Sequence, residues 1–228
     1  MRKLLTLAAA AGFAAGLSAG ASAYEQGDII LRLGAATVAP NEDSDNIGLP
    51  SEPPITLPGI GIDNDTQLGI TATWMFSDRF GVELLAATPF EHDFTVKGLG
   101  IDGGSLTHLP PTLSLQWYPR GGQSGWQPYV GIGVNYTYIY DEEVSGELKT
   151  ALSAVLGASR ADLSLDNSFG PAAQVGVDIP LGDNLGLNLG VWYLDIDTTA
   201  TISTDVGRVK FDVDVDPWVY NVGLAWRF

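Results

Sequence analysis

Apolar and polar residues take turns along most of this chain. Between Gln67 and Phe76, Leu68, Ile70, Ala72, Trp74 and Phe76 share one parity, while Gln67, Gly69, Thr71, Thr73 and Met75 share the other. A period of two puts such sets on opposite faces of an extended strand. The closing stretch repeats the pattern, with Trp218, Tyr220, Val222, Leu224, Trp226 and Phe228 interleaved with Val219, Asn221, Gly223, Ala225 and Arg227. Val130, Ile132, Val134, Tyr136, Tyr138 and Tyr140 oppose Gly131, Gly133, Asn135 and Thr137. Leu109, Leu113, Leu115 and Trp117 oppose Thr112, Ser114 and Gln116, and Val175, Val177 and Ile179 oppose Gln174, Gly176 and Asp178. The segments GDIILRLGAATV, FGVELLAATPF and NLGLNLGVWYL alternate likewise. A soluble sandwich would turn the large residues toward a core, whereas a membrane barrel turns them toward lipid and keeps small and polar residues inside. About eight segments of roughly ten residues predict an all-β fold, an eight-stranded antiparallel transmembrane β-barrel.

The connections support that reading. Phe76–Phe80, Pro119–Trp126 and Pro180–Leu185 are short and carry turn residues. They alternate with long acidic segments at Val38–Asn64 and Asp141–Ser168 and a smaller one at Lys97–Ser105. Short periplasmic turns opposite longer extracellular loops are the expected asymmetry, with both termini on the periplasmic side. Within the third outer loop, Leu148, Ala151, Leu152, Val155 and Leu156 recur at helical spacing. They predict a short amphipathic helix in Gly146–Arg160, which caps the barrel mouth, collects apolar ligand there, or packs on neighbouring loops.

The N-terminus places the chain. Arg2 and Lys3 precede an apolar run from Leu4 to Leu17, and Ala21-Ser22-Ala23 fits a signal-peptidase site. Residues 1–23 are expected to be a cleaved signal peptide, with residues 24–228 the barrel, mature from Tyr24 and exported to the cell outer membrane. No later stretch approaches the ~18 apolar residues of a spanning helix. The formal net charge is −16, and loss of Arg2 and Lys3 makes it two units more negative. Nucleic acid is therefore an implausible partner. The absence of cysteine excludes a disulfide framework and thiolate metal sites.

Several blocks, VELLAATPF, HLPPTLSLQWY, PYVGIGVNYT, AAQVGVDIPL, VWYLDIDT and DPWVYNVGLAWRF, resemble in this order the outer membrane protein W family, which includes alkane-uptake members often called AlkL. The resemblance spans essentially the whole mature chain. It implies an eight-stranded barrel in outer-membrane lipid that passes small hydrophobic solutes.

Extending the registers upward identifies candidate pathway residues. In the last strand the even, lipid-facing parity makes Asp212, Asp214 and Asp216 outward, and Val209, Phe211, Val213 and Val215 inward. The seventh strand repeats this, with Asp195 and Asp197 out and Trp192, Leu194 and Ile196 in. An apolar outer vestibule of Val209, Phe211, Val213, Val215, Leu194 and Ile196 follows, unless a bulge near Pro217 flips the register. Glu83 belongs inside, because a carboxylate facing hydrocarbon is unfavourable. That parity turns Leu85 inward, where it forms a candidate constriction with Trp192. Pro89, Pro110 and Pro111 each remove a ladder donor between the third and fourth strands, which marks a candidate lateral opening. The few inward charges, Arg32, Glu83, Asp178 and Arg227, are candidates for one network near the periplasmic end.

Catalysis is not expected. His92 and His108 are the only histidines; they lie at opposite ends of the third-to-fourth hairpin loop, where a cross-strand pair is conceivable, but no carboxylate is spaced to orient either. Two histidines make a weak metal site, and the acidic run Asn41–Asn46 lacks the spacing of a calcium loop. The chain is accordingly read as a monomeric channel for hydrophobic solutes, with no cofactor and no metal. The alternative is a structural or adhesive barrel, which calls for inward charge pairs at several levels.

Overall fold

The structure, a computed structural model, describes residues 23–51 and 53–228. The expected signal peptide lies outside the described residues except for Ala23. Eight antiparallel strands form the wall: β1 (Ile29–Ala39), β2 (Asp65–Ser77), β3 (Phe80–Ala87), β4 (Thr112–Trp117), β5 (Gln127–Val144), β6 (Ser168–Pro180), β7 (Leu185–Leu194) and β8 (Trp218–Arg227). Each pairs with the next, and β8 returns to β1 in continuous register from Arg227 opposite Ile30 to Trp218 opposite Ala39. The barrel is thus closed, as the period-two segments predict.

The faces fall as the alternation requires. Leu68, Trp74, Leu113, Leu115, Val130, Val134, Val175 and Val222 all point outward and are exposed, Ile132 by as much as 70%. Their strand neighbours Thr71, Thr73, Thr112, Gln116, Asn135, Gln174 and Asn221 are buried in the lumen. Curvature this tight needs room between strands. Gly34 lies opposite both Gly69 and Gly223, and a Cβ placed there would strike the Val222 carbonyl. Only glycine lets β1 approach β8 this closely.

Four strands beyond the belt continue the wall. Phe90–Val96 and Ile101–Leu109 form a hairpin above β3 and β4, and Asp197–Thr204 with Gly207–Asp214 forms another above β7 and β8. The small loop expected at Lys97–Ser105 is therefore shorter, since strand pairing resumes at Ile101. Short strands at Asp43–Ser44, Ile47–Leu49, Ile55–Leu57 and Ile60–Ile62 organise the first long loop.

Helix α1 (Gly146–Leu156) sits within the predicted range. Ser145 caps its start by accepting from the Leu148 N–H at 3.0 Å, and Gly157 ends it at φ 73°. Leu148 and Leu152 are buried in one apolar cluster with Ile47, Leu49, Leu57, Ile202 and Val209. The helix caps the mouth and packs on the neighbouring loop strands at once, because both surfaces present the same apolar cluster.

Candidate functional site

The lumen is filled in layers, and the half toward the short turns holds a polar one. Arg32 is its hub. Its Nε and Nη2 donate to the two oxygens of Asp178 at 3.0 and 2.6 Å, its Nη1 donates to Glu83 at 3.0 Å and to Thr73 at 2.8 Å, and its Nη2 also reaches Tyr118 at 3.0 Å. The guanidinium lies 4.9 Å from the Tyr129 ring centroid. Tyr118 donates to Gln116, and Gln116 donates to Gln174. Asn188 donates to Asp178 and Tyr129, and Asn221 donates to Asn188. Side chains of all eight strands join this network, together with Tyr118 just beyond β4. Tyr24, the expected mature N-terminus, bonds Asp178 from below at 2.9 Å. Below the hub, Tyr24, Ile30, Met75, Tyr118, Tyr129 and Ala225 close an apolar floor.

Three of the four inward charges expected to meet do so. Arg227 does not: its Nη1 bonds the Ala23 carbonyl and lies 3.8 Å from Asp28. The reason is its position at the last residue of β8, where the side chain reaches the rim before it reaches the hub.

Directly above the polar layer lies the predicted constriction. Leu85 and Trp192 are buried in one cluster with Ala36, Val38, Phe90, Ala172, Leu194, Ile196 and Val219. A Cβ at Gly190 would collide with the Trp192 six-membered ring and lie 3.3 Å from the Tyr129 hydroxyl. The indole therefore folds down over Gly190 onto the polar layer. Phe90 joins this cluster: the odd inward parity of Glu83 and Leu85 would turn it outward, but beyond Pro89 the alternation of Phe90, His92, Phe94 and Val96 with Glu91, Asp93, Thr95 and Lys97 signals the flip.

The six vestibule candidates all face inward but fall at three levels. Leu194 belongs to the constriction cluster. Ile196, which belongs to that cluster too, lines an apolar pocket with Val213, Val215, Val38, Pro40, Ile60, Ile62, Leu106, Ile139 and Leu165. Val209 and Phe211 lie higher, in the cluster beneath α1. Asp212 and Asp214 are exposed. The strand break at Asp216, with φ 38°, leaves the parity intact, since Val213 and Val219 are both buried. Asp216 holds the break by accepting from the Tyr193 hydroxyl and the Ile196 N–H.

The prolines coincide with a gap in the ladder. Pairing between β3 and β4 runs from Phe80 opposite Trp117 to Leu85 opposite Thr112, and the hairpin above resumes at Phe90 opposite His108. Ala86–Pro89 and Leu109–Pro111 face each other between those limits. Their outer edges stay bonded: the Thr88 N–H donates to Leu68, and the Pro111 carbonyl accepts from the Tyr136 N–H, both at 3.0 Å. Leu85, Phe90 and the partly buried Ala87 line the inner side of the gap. Pro89 and Pro111 are exposed, whereas Pro110 is buried.

His92 and His108 meet beside the pocket with their Nε2 atoms 2.9 Å apart. Burial lowers the pKa of both. His108 drops to about 3, its burial reinforced by the neighbouring His92; the drop at His92 is partly offset by its bond to the Asp63 carbonyl. Their outward strand neighbours Glu91, Asp93 and Thr107 are polar, which puts the pair above the apolar belt.

Two outcomes follow from these geometries. Arg32→Met strands two carboxylates in the lumen and is expected to lose about 3–5 kcal/mol of stability. Glu83→Gln keeps a hydrogen-bond acceptor beside an Arg32–Asp178 pair of zero net charge, so it is expected to cost much less. Urea titration of refolded barrels, read by heat-modifiable gel mobility, compares the two. Secondly, histidines with folded pKa values below the unfolded ~6.5 give stability that is complete above that value and is lost as pH falls toward 3. Amide protection factors in Phe90–Val96 and Ile101–Leu109, corrected for the intrinsic slowing of exchange in acid, should therefore fall between neutral pH and about pH 4.5, and His108→Gln should reduce that dependence.

Comparison with known proteins agrees with this architecture. The OmpW family profile matches residues 25–228. Outer membrane protein W of Escherichia coli is 41% identical over 213 residues, covering 93% of each chain. Outer membrane protein AlkL of Ectopseudomonas oleovorans is 25% identical, covering 90% of this chain and 84% of its own. The crystal structure of OprG from Pseudomonas aeruginosa superposes with a TM-score of 0.81 at 43% identity, covering 92% of this chain and 99% of that one. With its closed eight-stranded wall, this chain is an outer-membrane β-barrel and belongs to the OmpW family.

Proposed function

We propose that this barrel, acting as a monomer and without catalysis, takes up small hydrophobic molecules passively and releases them sideways into the membrane. The observation that carries the reading is the coincidence of three features: an axial path filled by a polar network from all eight strands, an apolar pocket above it, and a proline-bounded gap in the wall between them. A solute enters past the loops, rests against Ile196, Val213 and Val215, and stops at Leu85 and Trp192. Below that point an apolar molecule would have to break charge-assisted hydrogen bonds to Arg32, which are among the stronger polar contacts in proteins. Sideways it meets hydrocarbon, where each CH2 transferred from water gains about 0.8 kcal/mol. Release down the axis into periplasmic water forgoes that gain.

The rival reading, a purely structural or adhesive barrel, calls for ion pairs at several levels of the interior. Within the lumen of the described residues the ion pairs lie at one level, Arg32 with Glu83 and Asp178, which favours a passage above a single closure.

The test uses the native absence of cysteine. The register below the gap, continued one step, sets Ala86 opposite Pro111. Ala86→Cys with Pro111→Cys, oxidised to a disulfide, is expected to slow uptake of an alkane by expressing cells, and reductant should restore it. Pro110→Val with Pro111→Thr should also slow uptake by restoring ladder donors. Full uptake through a barrel shown to be cross-linked would refute sideways release and favour the axial route.

A further inference from the structure

The histidine pair has a fixed hydrogen-bond direction. His92 Nδ1 lies 2.6 Å from the Asp63 carbonyl, an acceptor, so Nδ1 carries the proton. Neutral His92 then offers a lone pair at Nε2, and His108 must donate its own Nε2–H across the 2.9 Å contact. That leaves His108 Nδ1 as a bare acceptor. Both rings line the apolar pocket. The separation is also shorter than the about 3.3 Å expected for two nitrogens on one tetrahedral zinc, so the contact is a hydrogen bond and not the remnant of a metal site.

Among the described residues, His108 Nδ1 is the one buried polar side-chain atom of the pocket lining without a partner. The other polar lining side chains are occupied: Thr137 donates to Asn135, Thr198 to the Asp166 carbonyl, and both nitrogens of His92 are in use. His108 is only 6% exposed. A buried acceptor without a donor costs free energy. Phe90 packs flat against His108, with centroids 5.5 Å apart and planes 22° apart, which fixes the ring.

We infer that the pocket is specific for an apolar molecule carrying one hydrogen-bond donor, an aliphatic alcohol or a phenol, whose O–H binds His108 Nδ1. The inference rests on the passage proposed above and names the class of solute that pauses there. The apolar tail fills the space lined by Ile196, Val213 and Val215, and the head displaces apolar lining to reach the nitrogen. A plain alkane meets the same apolar lining but leaves the acceptor unsatisfied.

The probes are 1-octanol and n-octane, added to the full barrel labelled with ¹⁵N-histidine in lipid nanodiscs. Octanol is expected to shift the Nδ1 resonance of His108 and octane to leave it. In His108→Phe, octanol affinity should fall roughly two- to tenfold, the worth of one neutral hydrogen bond, with octane affinity unchanged. Should that variant misfold, the wild-type resonance still decides. If both probes contact Val213 by nuclear Overhauser effect but octanol leaves the nitrogen unmoved, the donor inference is overturned and the passage stands. If neither probe contacts Val213, the passage itself fails.

Discussion

In hydrocarbon an unpaired peptide group finds no water, so a strand can cross only if both of its edges are bonded. Everything else in this molecule follows from how that requirement is met with eight strands. Closing so small a ring leaves a lumen just wide enough for side chains to fill. The glycines facing one another at Gly34, Gly69 and Gly223 are where the wall bends most closely on itself. A filled lumen must in turn satisfy its own polar atoms. Here one guanidinium organises partners from the surrounding strands into a single layer, and that layer fills the axis.

The same requirement gives meaning to the one place where the wall is incomplete. Between the ladder ending at Leu85 and the one resuming at Phe90, prolines remove donors that would otherwise be stranded, while the remaining edges bond outward to Leu68 and Tyr136. The gap is thus tolerated because little is left unsatisfied in it. Its position next to Leu85 and Phe90 puts it at the level of their apolar cluster, just above the polar layer, where the proposed route meets lipid.

How much of this was legible in the sequence depended on the range of the interaction. Faces were readable because period two is local, so the outward Leu68 and Trp74, the inward Glu83 and Leu85, and even the valines beyond Pro217 followed from parity alone. The prolines declared a broken ladder by their own chemistry. What parity does not give is height: it could not tell that Leu194 belongs to the constriction and Phe211 to the cluster under α1, because strand stagger sets which inward residues meet. For the same reason Arg227 was grouped with Arg32, although it ends at the rim. The bond between His92 and His108 joins residues that are not direct partners in the hairpin register, where His92 faces Leu106 and His108 faces Phe90. The sequence places them at opposite ends of one hairpin loop, which leaves a cross-strand pair open, and the packed structure closes it.

The account is tested most directly by mapping where an apolar solute travels inside the wall. A photoreactive alkyl diazirine supplied from outside intact cells and activated during uptake would label the inward side chains it touches, identified by mass spectrometry of the purified barrel. Label on Ile196, Val213 and Leu85 that stops above Arg32, with edges of the gap at Ala87 and Leu109 also marked, is the predicted pattern. Label on Met75, Tyr118 or Tyr24, below the polar layer, would contradict it.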